Sequence, residues 1–210
     1  IKVNKHSLEF YMDVDMPLVY NAVNAIQSTA WRINKKIYRI AEEISGWTNI
    51  PSGLDMPTKE APEKPIRPVE ADDNPEVQKK WRKDMMRYYQ LDNTRRGKRL
   101  LVDMVMEQAK TYLQEDQIYF PHSIDFRGRV YPMTLLSPQG NDFTKGLLEF
   151  AEGVELGEDG AKWLAFHGAN CWGLDKKPLE ERLSWVYENP ELISRVADDP
   201  LSNLDWTDAD

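Results

Sequence analysis

Cysteine is nearly absent: Cys171 is the only one in 210 residues. A lone thiol closes no internal disulfide and leaves no ligand set for a multi-cysteine zinc or iron–sulfur centre, and the usage fits a reducing cytosol. Histidine is scarce as well, with three. His6, His122 and His167 are scattered, without the spacing of a histidine metal site. Long apolar runs are missing as well. The longest uncharged stretch, Met16 to Trp31, is 16 residues and carries Asn21, Asn24 and Gln27, too short and too polar to span a bilayer. There is no glycine-rich phosphate loop ending in Gly-Lys-Ser/Thr, no GxGxxG, no HExxH and no CxxC. No repeat or low-complexity tract interrupts the chain. It opens on Ile1-Lys2-Val3-Asn4, with neither an initiator methionine nor the apolar stretch of a signal peptide, so a piece of a longer protein is expected.

Positive charge is outnumbered, 27 Lys and Arg against 35 Asp and Glu, giving a net charge of −8. Taken whole, that argues against a polyanionic partner. The distribution says otherwise. Residues 151–210 carry 5 basic and 14 acidic side chains, more than the entire net charge. Between Lys79 and Arg99, nine basic residues face only Asp84 and Asp92. Local fields rather than averages decide electrostatic binding.

Length allows one large domain or two small ones with a proper core. Asp15-Met16-Pro17 reads as a helix start, with Asp15 near the cap. Val19, Val23, Ile26, Ala30, Ile33, Ile37, Ile40 and Ile44 recur three or four apart, predicting one amphipathic helix of about 30 residues stopped at Gly46. Six prolines from Pro51 to Pro75 then predict an extended, mobile connection without helix or strand. Asp73-Asn74-Pro75-Glu76 starts a second long helix, with Val77, Trp81, Met85 and Tyr88 on its apolar stripe. Leu101, Val105, Ala109 and Tyr112 continue the stripe beyond Gly97, which is expected to kink or interrupt the helix. Ile118-Tyr119-Phe120 and Val130-Tyr131 are short β-type runs around a turn at Ser123–Gly128. Pro138–Asp142 is a turn into a helix carrying Lys145, Leu147, Leu148 and Phe150. Three short helices follow, over Asp159–His167, Pro178–Tyr187 and Pro190–Val196. The fold class is α+β and mostly helical, with a long helical hairpin and a small β-containing segment.

Two segments carry recognisable chemistry. In the basic one, Lys79, Lys83 and Arg87 lie four apart on one helical face, with Arg95 and Arg99 further along. Such a stripe suits a run of phosphates, each contact releasing counterions; a solvated helix face accounts for it too. In Asp125-Phe126-Arg127-Gly128-Arg129-Val130-Tyr131 a glycine sits between two guanidiniums, the group suited to bidentate phosphate contacts. Phe126 and Tyr131 can stack on bases or sugars, and Asp125 can orient an arginine. A hairpin turn with a structural ion pair explains the same residues equally well. His167-Gly168-Ala169-Asn170-Cys171 suggests a Cys/His pair, but a helix end closing on glycine is the simpler account. Without the motifs, the amphipathic helices and acidic tail describe a non-catalytic helical module that docks a protein partner.

Asp125-Phe126-Arg127-Gly128-Arg129-Val130-Tyr131, followed by Pro138-Gln139-Gly140-Asn141-Asp142-Phe143-Thr144-Lys145-Gly146-Leu147-Leu148, resembles the single-subunit DNA-directed RNA polymerases of T-odd-type phages and mitochondria. Trp31-Arg32-Ile33-Asn34-Lys35-Lys36 and His167-Gly168-Ala169-Asn170-Cys171 extend the resemblance in the same order. It implies part of a right-hand polymerase. Residues 1–28 would close the N-terminal domain, 29–115 form the thumb with a proline-rich linker at 50–75, 116–153 the first palm segment, and 154–210 an incomplete palm insertion. It also implies that Asp125, Phe126, Arg127, Arg129, Tyr131 and Lys145 meet the template and RNA–DNA hybrid, with Phe126 standing where phage relatives often have Trp. Its implied partners are DNA template, RNA transcript, nucleoside triphosphates and the remainder of the polymerase, in the cytoplasm of an infected host and without a membrane. The Mg2+ ions of nucleotidyl transfer sit on aspartates in motifs that this chain does not contain. The expectation is therefore a chain that grips nucleic acid, binds no Mg2+ and does not polymerise alone.

Overall fold

The computed structural model describes residues 14–51, 54 and 56–208, together with Glu9 and Met12. Its elements are α1 (Pro17–Gln27), β1 (Trp31–Ile33), α2 (Lys35–Gly46), α3 (Pro75–Thr111), β2 (His122–Ile124), β3 (Val130–Pro132), α4 (Asp142–Gly146), β4 (Leu148–Phe150), α5 (Gly160–Cys171), α6 (Leu179–Glu188) and α7 (Pro190–Asp198), with 3-10 turns at Val69–Ala71 and Leu204–Asp208. The mostly helical α+β class holds, the strands forming two small antiparallel pairs. No helix among the described residues is long and apolar enough to cross a membrane.

The chain divides into two compact units, each with its own packing. The first comprises the described residues up to Ile33 together with Tyr112–Glu152. Here the single 30-residue helix expected from periodicity is corrected to two helices with a strand between them. Residues Trp31–Ile33 pair antiparallel with Leu148–Phe150, Ile33 opposite Leu148. On its other side Trp31 exchanges backbone hydrogen bonds with Ile118, at 2.9 and 2.7 Å. Trp31 stacks on Phe150 with centroids 4.4 Å apart. Ile33, Leu147, Leu148, Phe120 and Leu136 are buried. Strand hydrogen bonds from both sides and an aromatic stack outweigh the helical spacing, which Ala30 and Ile33 satisfied by coincidence. The cap of α1 is also corrected. It is Met16, with no side-chain hydrogen bond, so Asp15 does not cap and Pro17 alone marks the start. Gln27, at the end of α1, accepts from the His122 backbone N–H at 2.8 Å and ties the helix to β2.

The second unit comprises Asn34–Thr111 and Gly153–Asp210. Asn34 starts α2, its side chain accepting from the Ile37 N–H at 3.1 Å. The buried Tyr38, Ala41 and Ile44 face the end of α3, where Val102, Val105 and Ala109 are buried. Burial and a hydrogen bond to Glu42 push the Tyr38 hydroxyl up to about 12. The start of α3 is as expected, with Asn74 accepting from the Glu76 and Val77 N–H groups. Two features of this helix differ. Gly97 does not interrupt it, and α3 runs 37 residues unbroken. Val105 and Ala109 are buried as expected, whereas Leu101 and Tyr112 are exposed and Val102 is buried.

The middle of the inward stripe carries charge. Asp92 is 4% exposed and pairs with Arg95 at 2.7 Å and Arg96 at 2.8 Å. Arg95 donates to the carbonyls of Thr58 and Lys59, at 3.1 and 2.8 Å. Arg99 donates to the Ser45 carbonyl at 3.2 Å and pairs with Asp103 at 3.0 Å. The proline-rich connection, expected to hang free of regular structure, is thus pinned at Thr58–Lys59. It holds a 3-10 turn at Val69–Ala71, and Arg67 lies over the Trp81 ring at 5.5 Å.

After residue 153 the three short helices appear close to their expected bounds. Trp172 stacks on Trp185 at 5.0 Å, joining α5 to α6, and Arg195 pairs with Asp205 at 3.0 Å. The helix holding His167 runs on to Cys171, so the closing glycine is Gly173 (φ 88°) and not Gly168. One turn of that helix brings the Cys171 sulfur to 3.7 Å from His167 Nε2, both exposed.

Candidate nucleic-acid interface

In the first unit β2 and β3 form an antiparallel hairpin, His122 opposite Pro132 and Ile124 opposite Val130. Its first strand is therefore His122–Ile124. The expected run Ile118-Tyr119-Phe120 contributes a bridge to Trp31 instead, because Ile118 and Phe120 are needed in the core. The hairpin loop is Asp125–Arg129, and one carboxylate organises it. Asp125 Oδ1 accepts from the backbone N–H of Arg127 at 2.9 Å and of Arg129 at 3.0 Å. Asp125 Oδ2 accepts from Arg127 Nε and Nη2, at 3.0 and 2.9 Å. The turn closes through Gly128 N–H to the Asp125 carbonyl at 3.0 Å, with Gly128 at φ 82°, a left-handed conformation that favours glycine. The Arg129 N–H first, then the Arg127 side chain and N–H and the Tyr131 hydroxyl, hold the Asp125 carboxyl below its ordinary range.

What this loop offers outward is specific. The Phe126 ring is 88% exposed, with the Arg127 guanidinium 5.6 Å over it. Arg129 uses its backbone on both sides of the loop, while its exposed side chain makes no hydrogen bond or ion pair among the described residues. Tyr131 is partly exposed in the middle of β3. The loop therefore spends Asp125 and Arg127 on its own shape and presents a flat ring and an uncommitted guanidinium.

Lys145 belongs to the same unit, on α4. The helix expected to carry Lys145, Leu147, Leu148 and Phe150 is corrected to five residues followed by β4, since Leu148–Phe150 pair with β1. Asn141 caps it, accepting from the Thr144 N–H at 3.0 Å and hydroxyl at 2.6 Å. Gly140 makes room for this cap: a Cβ there would stand 2.7 Å from the Thr144 Cβ. Lys145 pairs with Asp142 at 2.5 Å and remains half exposed. No hydrogen bond or ion pair among the described residues joins it to the hairpin loop.

The second unit carries the basic face of α3. Lys79, Lys83 and Arg87 are all exposed and without an acid partner among the described residues. Arg95 and Arg99 are different, with side chains only 16% and 15% exposed and turned onto the carbonyls described above. They anchor the helix from its inward side. Sequence spacing grouped five cations, and the structure divides them into three that face solvent and two that hold α3 in place. Asp92 was not singled out by sequence. A carboxylate falling on the helical stripe between Tyr88 and Arg95 was its available signal. No group of three or more His, Cys, Asp or Glu among the described residues is placed to hold a metal ion, so the Mg2+ implied by the resemblance finds no fitting ligand set here.

A family model described as DNA-dependent RNA polymerase matches residues 154–210. T7 RNA polymerase of Escherichia phage T7 is 42% identical over 207 residues, covering 99% of this chain. The DNA-directed RNA polymerase of Enterobacteria phage K11 is 43% identical over the same share. DNA-directed RNA polymerase 1, mitochondrial, of Arabidopsis thaliana is 34% identical over 90% of the chain. The chain spans 23% of the length of each phage protein and 19% of the plant one. Over the residues it spans, the chain is similar to the single-subunit, phage-type DNA-directed RNA polymerases.

Proposed function

We propose that this chain supplies the nucleic-acid grip of a DNA-directed RNA polymerase, holding template and RNA–DNA hybrid while nucleotidyl transfer takes place on other residues. The observation that carries this reading is the hairpin loop, in which Asp125 fixes the backbone and leaves Arg129 and Phe126 facing outward. A guanidinium without an internal partner suits a phosphate, and an exposed ring beside it suits a base or sugar face. Tyr131 and Lys145 extend this surface. Lys79, Lys83 and Arg87 track a second stretch of backbone along α3, the helix we assign to the thumb, with Arg95 and Arg99 anchoring it. In this reading residues 116–153 begin the palm and residues 154–210 belong to an insertion within it. Two-metal chemistry and nucleoside triphosphate binding belong to carboxylates and cations beyond these residues, so the chain alone does not incorporate nucleotides.

Fluorescence anisotropy with a labelled RNA–DNA hybrid tests this. Arg129→Ala is expected to weaken binding by about tenfold or more, the worth of one charge-assisted contact. Unchanged binding in Arg129→Ala and Arg127→Ala together counts against the assignment of the loop. A second reading draws on the exposed Trp163, Leu164 and Tyr187 of the acidic region. It makes the chain a helical module for protein docking, and binding that ignores both salt and hybrid would favour it.

A further inference from the structure

Gly97 lies deep inside α3, yet nothing among the described residues explains a glycine there. It is not among the glycines with positive φ, so the backbone conformation does not require it. A Cβ built on it meets nothing within 4 Å, so packing does not require it either. Glycine weakens a helix interior relative to alanine, and α3 nonetheless continues unbroken through it. The inward side shows how. Arg95 and Arg99 flank Gly97 by two residues each, and both are tied to carbonyls of other segments. The helix is thus held firmly at the one point where its own sequence loosens it.

The outward side shows what the point faces. Lys79, Lys83, Gln90 and Gly97 are spaced by four, seven and seven residues, which places them on one row at 3.6 residues per turn, and all four are exposed. From Lys83 to Gly97 the row runs about 21 Å at 1.5 Å per residue. Arg96 and Lys98 stand on either side of the gap, Arg96 still largely exposed while paired with Asp92. We propose that Gly97 is where α3 touches the sugar–phosphate backbone of the bound nucleic acid. The missing side chain lets a strand reach the helix surface, with Arg96 and Lys98 straddling it. The interior amide N–H groups are already used in the helix, so the contact is made by Cα–H groups and close packing, with the cations supplying charge. This deepens the proposed function and rests on its assignment of α3 to nucleic-acid binding.

The test compares hybrid binding and melting temperature for Gly97→Ala, Gly97→Leu, Lys83→Ala and Gly168→Ala in the full chain. Gly168 is the control, an exposed glycine inside α5 whose Cβ would also meet nothing. Both alanine variants are expected to melt higher than the wild type. Gly97→Ala is expected to weaken hybrid binding despite its gain in stability, Gly97→Leu by about tenfold, the scale of an overpacked contact. Gly168→Ala should bind as the wild type does. Wild-type affinity in both Gly97 variants beside a weakened Lys83→Ala overturns the contact and leaves the proposed function standing. Wild-type affinity in all of them, Lys83→Ala included, removes the assignment of the α3 face and this inference with it. An equal loss in Gly168→Ala also overturns it, since the effect would then not be local.

Discussion

At the scale of single residues, Asp125 decides how the loop works. Its carboxyl is held below the ordinary range chiefly by the Arg129 N–H, then by Arg127. A lowered folded-state value means that the ionised form supports the loop above the ordinary carboxyl range near 3.9, and that this support is lost as pH falls through the lowered value. Acid titration followed by the NMR shifts of the Arg127 and Arg129 amides is expected to show both moving together, below the midpoints of exposed carboxylates. Independent midpoints would contradict a single organising carboxylate. The sequence motif made Asp125 and both arginines visible but not their division of labour. Only geometry shows that Arg127 is held by Asp125 while Arg129 is left over, because Asx-type turn bonding depends on backbone angles that spacing does not encode.

At the scale of elements, the instructive errors share a cause. Hydrophobic periodicity joined α1, β1 and α2 into one helix because Ala30, Ile33 and Ile37 fall at helical spacing by chance. The evidence for a break lay in Asn34, whose side chain caps α2. Asn34→Ala is expected to cost about 1 kcal/mol of stability in a chemical denaturation curve, the usual worth of such a cap. In α3 the same periodicity found the start and the apolar ends, then passed over the centre, where Asp92, Arg95 and Arg99 occupy inward positions. A scale that treats charged residues as outward cannot see a buried ion pair satisfied by carbonyls from segments distant in sequence. The strands were partly legible. A turn was expected at Ser123–Gly128 and lies two residues later at its start, at Asp125–Arg129, whereas the pairing of Trp31–Ile33 with Leu148–Phe150 joins residues far apart in sequence and left no local mark.

At the scale of the whole chain, the net charge of −8 conceals a basic face and an acidic region. The structure keeps that separation visible: Lys79, Lys83 and Arg87 face solvent on α3, and the described acidic residues after residue 153 lie on α6, α7 and the segments flanking the α-helices. Arg95 and Arg99 contribute to the formal charge of the basic segment but are largely withdrawn from its surface. A reading by composition thus overstates the cations available to a partner and mistakes the sign of the relevant field.

The most direct measurement is the affinity of the chain for an RNA–DNA hybrid as a function of salt. Four of the exposed cations without an acid partner among the described residues, Lys79, Lys83, Arg87 and Arg129, are the ones assigned to phosphates and set the expected number of contacts. At about 0.7 to 0.9 counterions released per contact, log Kobs against log[salt] is expected to fall with a slope of roughly −3 to −4. Arg129→Ala should make that slope shallower by about one contact. A hybrid that binds with no dependence on salt, or does not bind at low salt at all, would contradict the account.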